Sequence, residues 1–62
     1  MFTIEYSEYE EGPQFGGLFS CLTKAKEAIE TKQPTYEAYI FHLGKVVWIW
    51  YPQTKQWFKY GL

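Results

Sequence analysis

The residue types that could perform nucleophilic chemistry occur once each, as Cys21 and His42. Such catalysis requires a nucleophile, a base and a third group that orients the base. The sequence contains no Asp, and it places Cys21 near the start of a predicted helix and His42 on a predicted strand. Nothing in this spacing brings the two side chains together. We therefore interpret Cys21 as a small buried cysteine and His42 as a histidine at a strand end.

Carboxylates for acid–base chemistry would have to come from Glu8, Glu10 and Glu11, which lie in a predicted loop. A zinc cage needs about four ligands, and Cys21 and His42 supply two. The glycine-rich segment 12–17 lacks the Lys-Ser/Thr ending of a phosphate-binding loop. We expect no cofactor, no metal and no enzymatic activity.

The charges nearly cancel over the chain but are unevenly placed. Residues 1–23 contain four Glu and no Lys, whereas residues 24–62 contain six Lys and three Glu. One interpretation is a solvated acidic edge. The other is that Glu8, Glu10 and Glu11 form an acidic patch that steers the protein towards a basic surface of a protein partner.

The chain has 62 residues, of which 23% are aromatic, and this length predicts one domain over 1–62. So short a chain buries only about 60% of the surface that its unfolded form exposes. A single cysteine cannot form an intramolecular disulfide. Aromatic packing and self-association remain as supplements to the core.

No segment reaches the ~18 apolar residues of a membrane span. The N-terminal residues lack the basic region and apolar core of a secretory signal. One unpaired thiol suits a reducing compartment. These features predict a soluble cytoplasmic protein, and the initiator Met suggests a complete small gene product.

The order of predicted elements begins with a strand and a helix. Residues 2–7 alternate apolar and polar side chains, with Phe2, Ile4 and Tyr6 facing the core. Residues 8–17, with three Gly and one Pro, read as a loop. A helix is expected at about 20–32, capped by Ser20 or Thr23. Its apolar stripe comprises Leu18, Leu22, Ala25 and Ile29.

Two β-rich runs follow, at 36–43 and 46–51, with Gly44-Lys45 between them as a two-residue turn. A second turn at 52–55 leads to a short last strand at 56–60. The sequence predicts an α+β domain of order β-α-β-β(-β). One helix would pack on one face of a three- to four-stranded, mainly antiparallel sheet.

The turn position sorts the hairpin side chains into two faces. A turn at Gly44-Lys45 places Tyr39, Phe41, Trp48 and Trp50 on one face and Ile40, Val47 and Ile49 on the other. We assign the helix to the aliphatic face, which leaves the four aromatic residues as an uncovered platform. A three-residue turn at 43–45 would mix the faces and pair Ile40 with Trp48. The aromatic stripe could also simply be core.

These observations favour a non-enzymatic protein-binding module, of the kind that bacteriophages and mobile elements encode to inhibit or modulate a larger host protein. Aromatic residues are enriched at binding hot spots, so Tyr39, Phe41, Trp48 and Trp50 are the expected anchors. One alternative is a single-stranded nucleic-acid binder that stacks bases on these rings. The net charge of −1 and the absence of Arg oppose it. The other is a homodimer joined through the aromatic face.

Overall fold

The computed structural model describes residues 1–8 and 12–61, and within them it contains five strands and one helix. The elements in chain order are β1 (Phe2–Glu8), β2 (Gly12–Phe19), α1 (Leu22–Lys32), β3 (Ala38–His42), β4 (Lys45–Tyr51) and β5 (Gln56–Lys59). All neighbouring strands are antiparallel, in the order β2-β1-β3-β4-β5. The α+β class is confirmed, whereas the strand number is five rather than three or four.

The additional strand is β2, which occupies most of the segment that the sequence predicts to be a loop. It pairs with β1 from Glu8 opposite Gly12 to Phe2 opposite Phe19, with a bulge at Gly16. Pro13 is tolerated because β2 lies at the edge of the sheet, where a missing N–H need not break a ladder bond. For residues 12–17 the loop prediction was wrong, because Gly and Pro mark bulged edge strands as well as loops. Residues 9–11 of the predicted loop lie outside the described residues.

Helix α1 (Leu22–Lys32) lies close to the predicted bounds of about 20–32. Ala25 and Ile29 are fully buried and Leu22 is partly buried, so one stripe of α1 faces the sheet. At its end, Gln33 adopts a left-handed conformation and its amide donates to the Ile29 carbonyl. Pro34 follows and cannot continue the helix.

The predicted N-cap was wrong, because Cys21 rather than Ser20 or Thr23 occupies this position. Its side chain makes no capping hydrogen bond. Leu18, which we placed on the helical stripe, lies in β2 and is exposed. The helix therefore begins two residues later than its apolar periodicity suggests, because Leu18 and Phe19 pair with β1.

The core lies between α1 and the first strands of the sheet. Ile4 and Ile40 stand opposite each other on β1 and β3 and are both fully buried, and Tyr6 is 7% exposed. The inward orientation predicted for Phe2, Ile4 and Tyr6 is thus confirmed. The helix contacts β1, β2 and β3. Its eleven residues extend for about 16 Å, which leaves β4 and β5 outside its main footprint.

The β3–β4 hairpin turns one residue earlier than predicted. His42 pairs with Lys45, so Leu43 and Gly44 form the turn, both with positive φ (54° and 77°). These values suit a type I′ turn, the hairpin turn that matches strand twist. The register then shifts past Val47, so that Ile40 pairs with Trp48. The displaced turn moves each partner by two residues and so keeps the predicted faces, whereas the extra residue at Val47 exchanges the faces of β4 from Trp48 onwards.

We predict that Gly16→Ala destabilises the fold by about 1–3 kcal/mol, the usual cost of overpacking a core. A Cβ at Gly16 would collide with the ring of Tyr6 and lie 2.7 Å from Cγ2 of Ile4. Urea unfolding monitored by circular dichroism measures this change. The matched control is Gly12→Ala in the same strand, where the added Cβ meets open space but φ is +79°. Any loss in Gly12→Ala reports the strain at positive φ alone, and a Gly16→Ala variant as stable as the wild type would contradict the close approach at Gly16.

Candidate docking surface

The sheet has one face turned towards α1 and one turned away from it, which we call the helix-side face and the outer face. Cross-strand pairing assigns each strand residue to one of them, because paired residues point to the same side. The outer face consists of Thr3, Glu5, Ser7, Pro13, Phe15, Leu18, Tyr39, Phe41, Val46, Ile49, Tyr51, Gln56 and Phe58. No element of the described residues packs across it.

The four aromatic residues predicted to form one platform lie on opposite faces. Tyr39 and Phe41 are on the outer face, whereas Trp48 and Trp50 pair with Ile40 and Ala38 on the helix-side face. The predicted common platform is therefore wrong. Its cause is the bulge at Val47. The earlier turn alone would pair Tyr39 with Trp48 and keep them on one face, whereas one extra residue in β4 exchanges the faces from Trp48 onwards.

Trp48 and Trp50 join Trp57 of β5 in a tryptophan cluster beside the helix. Trp50 and Trp57 have ring centroids 5.1 Å apart, and Trp48 meets Trp57 edge-on at 6.3 Å. The Lys26 ammonium lies 3.4 Å from the Trp48 ring centroid. Glu30 accepts a 2.9 Å hydrogen bond from the Trp57 indole N–H.

The tryptophan cluster therefore extends the core to the strands that α1 does not reach. Trp50 is 9% exposed, and polar side chains of one helix turn close over its neighbours. The sequence carried a signal for this arrangement, since Lys26 and Glu30 stand four residues apart and so share one side of the helix. Cation–π attraction and the indole hydrogen bond both favour this position.

The outer face, over which none of the described elements packs, carries large apolar side chains. Phe15 is 68% exposed and Phe58 is 54% exposed, whereas Ile49, near the centre, is only 8% exposed. The Tyr51 ring meets the Phe58 ring edge-on, with centroids 6.3 Å apart. Burial, and then the charges of Glu37 and Tyr51, raise the pKa of the Tyr39 phenol. Its hydroxyl is therefore protonated at neutral pH and can donate a hydrogen bond.

The outer face is poor in charge. Its strand positions include one carboxylate, Glu5, and no lysine. Three of the six lysines are on the helix. Lys59 pairs with Trp48 and Lys45 with His42, which are helix-side positions, and Lys55 lies in the turn before β5.

The predicted acidic patch falls mostly outside the described structure. Glu10 and Glu11 lie outside the described residues, and for Glu8 the structure gives only the backbone position at the end of β1. Their steering role stays a prediction. The carboxylate that the structure does place on an apolar surface is Glu5, which sequence reasoning did not single out.

Cys21 and His42, the two candidates for nucleophilic chemistry, share no described contact. The His42 ring stacks on Phe2 with centroids 4.6 Å apart, and its Nδ1 lies 3.1 Å from the Met1 carbonyl. Cys21 is exposed at the start of α1, so its predicted burial was wrong. The described part of the chain contains no group of three or more His, Cys, Asp or Glu residues suited to a metal ion.

An open groove of about 660 Å³ runs between the end of β2 and one side of α1. Phe19 and Ala28 contribute apolar walls, and Lys24 and Glu27 form a 3.8 Å ion pair that is well exposed on both sides. An exposed pair of this kind contributes little to stability. The groove presents no cluster of catalytic groups among the described residues.

We predict that Trp50→Ala lowers the free energy of unfolding by about 3–5 kcal/mol, as large-to-small core substitutions do. The matched control is Phe15→Ala on the exposed outer face, where substitution changes stability by no more than ~0.5 kcal/mol. Equilibrium urea unfolding of both variants measures the difference. Similar losses for the two would contradict the assignment of Trp50 to the core and Phe15 to the surface.

We also predict that the Cys21 thiol is alkylated at lower pH in the folded chain than in the unfolded chain. Weak sulfur interactions with the backbone amides of Lys24 and Thr23 lower the pKa of the thiol. The thiolate, which is the reacting species, is therefore more abundant at a given pH. Iodoacetamide rates measured against pH, with and without urea, test this. Lys24→Met should keep most of the pKa decrease, because the backbone amides are its main cause. Equal pH midpoints of alkylation with and without urea would contradict the prediction.

Comparisons with models of known protein families, with curated proteins and with solved structures found no match to this chain. The helix within the described residues is too short and too polar to cross a membrane. The outer face, which no described element covers, is the basis for the function proposed below. Its residues are distributed over all five strands, so only the folded sheet assembles them.

Proposed function

We propose that the chain is a non-enzymatic protein-binding module whose docking surface is the outer face of its sheet. In this role it binds a larger protein and inhibits or modulates it. The single observation that carries the proposal is that one face of the sheet is covered by α1 while the other presents exposed aromatic side chains, Phe15 and Phe58 foremost.

The size of the exposed apolar surface supports this proposal. At about 150–250 Å² for each large side chain, the exposed fractions of Phe15, Leu18, Tyr51 and Phe58 amount to roughly 330–550 Å². The largest apolar patch of a monomer is about 300–600 Å² and is often functional. The half-buried neighbours Tyr39 and Phe41 bring the face closer to the ~800 Å² that each partner buries in a standard interface.

The placement of charge favours protein over nucleic acid as the partner. Single-strand binders combine stacking rings with a basic groove that follows the phosphates. The outer face has exposed rings but no lysine at its strand positions. On the helix-side face, the tryptophan rings pack on one another and beneath Lys26 and Glu30. The exposed rings of the outer face are thus on the opposite side of the sheet from Lys26, Lys45 and Lys59.

The edges of the sheet are less suited to binding than its outer face. An exposed edge can capture an additional strand, but natural proteins block this with short strands, Pro, Lys and bulges. At one edge β2 has Pro13 and the bulge at Gly16. At the other, β5 is four residues long and ends at Lys59. Side chains of the face, rather than backbone of an edge, are the expected contacts.

We expect Phe58→Ser to weaken binding of the natural partner by at least about tenfold, which corresponds to ~1.4 kcal/mol. The physical reason is the loss of an exposed ring from the outer face. Tagged wild-type and variant chains are used for affinity purification from the native source, with mass spectrometry as the readout. Leu43→Ser is the matched control, because Leu43 is 83% exposed but lies in the β3–β4 turn.

A partner retained equally by wild type, Phe58→Ser and Leu43→Ser would contradict docking on the outer face, provided that circular dichroism shows all three to be folded. The nucleic-acid alternative is tested by fluorescence anisotropy of a labelled single-stranded oligonucleotide at low salt. Intrinsic tryptophan emission is unsuitable, since the tryptophans lie on the other face. An anisotropy rise that is lost in Phe58→Ser would replace the protein partner by a nucleic acid.

A further inference from the structure

Glu5, the one carboxylate at the described strand positions of the outer face, occupies a central row of apolar side chains. Glu5 stands between Phe15 of β2 and Tyr39 of β3, and the same row continues through Ile49 and Phe58. Glu5 is half-buried, and the described residues give its side chain neither an ion pair nor a hydrogen bond. A protein that covers this row must therefore cover a carboxylate that has no partner among the described residues.

Covering such a group is unfavourable unless the incoming surface provides compensation. A carboxylate removed from water loses its hydration, and this loss is recovered only by a cation or by several hydrogen-bond donors. This chain has no lysine at a strand position of the outer face. The Tyr39 hydroxyl can donate one hydrogen bond. The full compensation has to come from the molecule that docks.

A second copy of the chain does not provide that compensation in the two symmetric face-to-face pairings that keep the strands of both copies aligned. Isologous pairing brings the same face of both copies together about a two-fold axis. If the axis runs along the central strand β3, β1 lies over β4 of the other copy, so Glu5 meets Ile49. If the axis runs across the strands through the central row, Glu5 meets Glu5. Neither arrangement places a cation against the carboxylate.

We propose that the outer face is reserved for a different protein, whose docking surface is apolar and carries a lysine or arginine opposite Glu5. Glu5 thereby selects the partner and also keeps two copies of this chain apart. This inference rests on the proposed function. Unpaired charge that discriminates against a wrong partner is a common source of specificity, and a cation opposite Glu5 converts the same group into an attraction.

The experiment measures self-association by sedimentation velocity over the accessible concentration range. We expect the wild type to be monomeric and Glu5→Leu to dimerise at least about tenfold more tightly than the wild type. The double variant Glu5→Leu/Phe58→Ser should return to monomer, which places the association on the outer face. Glu27→Leu is the matched control, because it replaces the same residue type on the exposed side of α1 and should stay monomeric.

A second experiment uses the Glu5→Lys variant to test whether a cation opposite Glu5 is required. Its outer face is the apolar surface with a lysine that the proposal requires, in the arrangement that sets residue 5 of one copy against residue 5 of the other. Wild type and Glu5→Lys, each monomeric alone, should form a 1:1 pair when mixed at low salt. The pair should weaken as salt screens the attraction. Absence of this pair would overturn the requirement for a cation.

The outcomes separate this inference from the proposed function. A wild-type dimer that Phe58→Ser disperses would overturn it, because the second copy would then be the occupant. A monomeric Glu5→Leu would also overturn it. If a natural partner is still lost with Phe58→Ser in that case, the outer face binds protein and only the role of Glu5 is wrong. If no association of any kind depends on Phe58, the proposed function fails as well.

Discussion

The helix is shorter than the sheet it packs on, and the remaining structure is arranged around that constraint. Eleven helical residues span about 16 Å, whereas five strands spaced ~4.8 Å apart form a wider sheet. The helix therefore covers β1, β2 and β3 on one face. The chain fills the uncovered corner of that face with three tryptophans, and it leaves the opposite face without any cover from its described residues. Core and candidate docking surface are both consequences of one short helix.

The tryptophan cluster compensates for the limited reach of the helix. Trp48, Trp50 and Trp57 pack against one another on the helix-side face of β4 and β5, where Trp50 is buried and the other two are partly buried. Lys26 and Glu30 close the cluster with their side chains while their charges stay near water. This explains how a chain with no disulfide assembles a core. It also explains why tryptophan, the residue type usually favoured at binding hot spots, is on the inner side here.

The outer face combines apolar and polar side chains. It joins apolar rings on β3, β4 and β5 to a polar stripe on β1, formed by Thr3, Glu5 and Ser7, with Phe15 beyond it on β2. A purely apolar face would bind indiscriminately, including to itself. One carboxylate within the rings makes the face selective, since burial of that group depends on what the other surface offers. Selectivity in this view comes from an unsatisfied group rather than from additional attraction.

The sequence by itself determined the local features of this protein. Alternation in 2–7 identified a strand with Ile4 and Tyr6 inside, and the spacing of Leu22, Ala25 and Ile29 identified a helix, since both follow from the period of the backbone. The tertiary structure alone decided which rings are buried. A bulge at Val47, beyond the Leu43-Gly44 turn, reassigned Trp48 and Trp50 to the helix side. Strand β2 was also not recognised from the sequence, because its glycines are typical of a loop. Only the folded sheet shows that Gly16 packs against Tyr6. Register and bulges depend on contacts between strands that are distant in sequence, so local pattern could not fix which face would remain open to a partner.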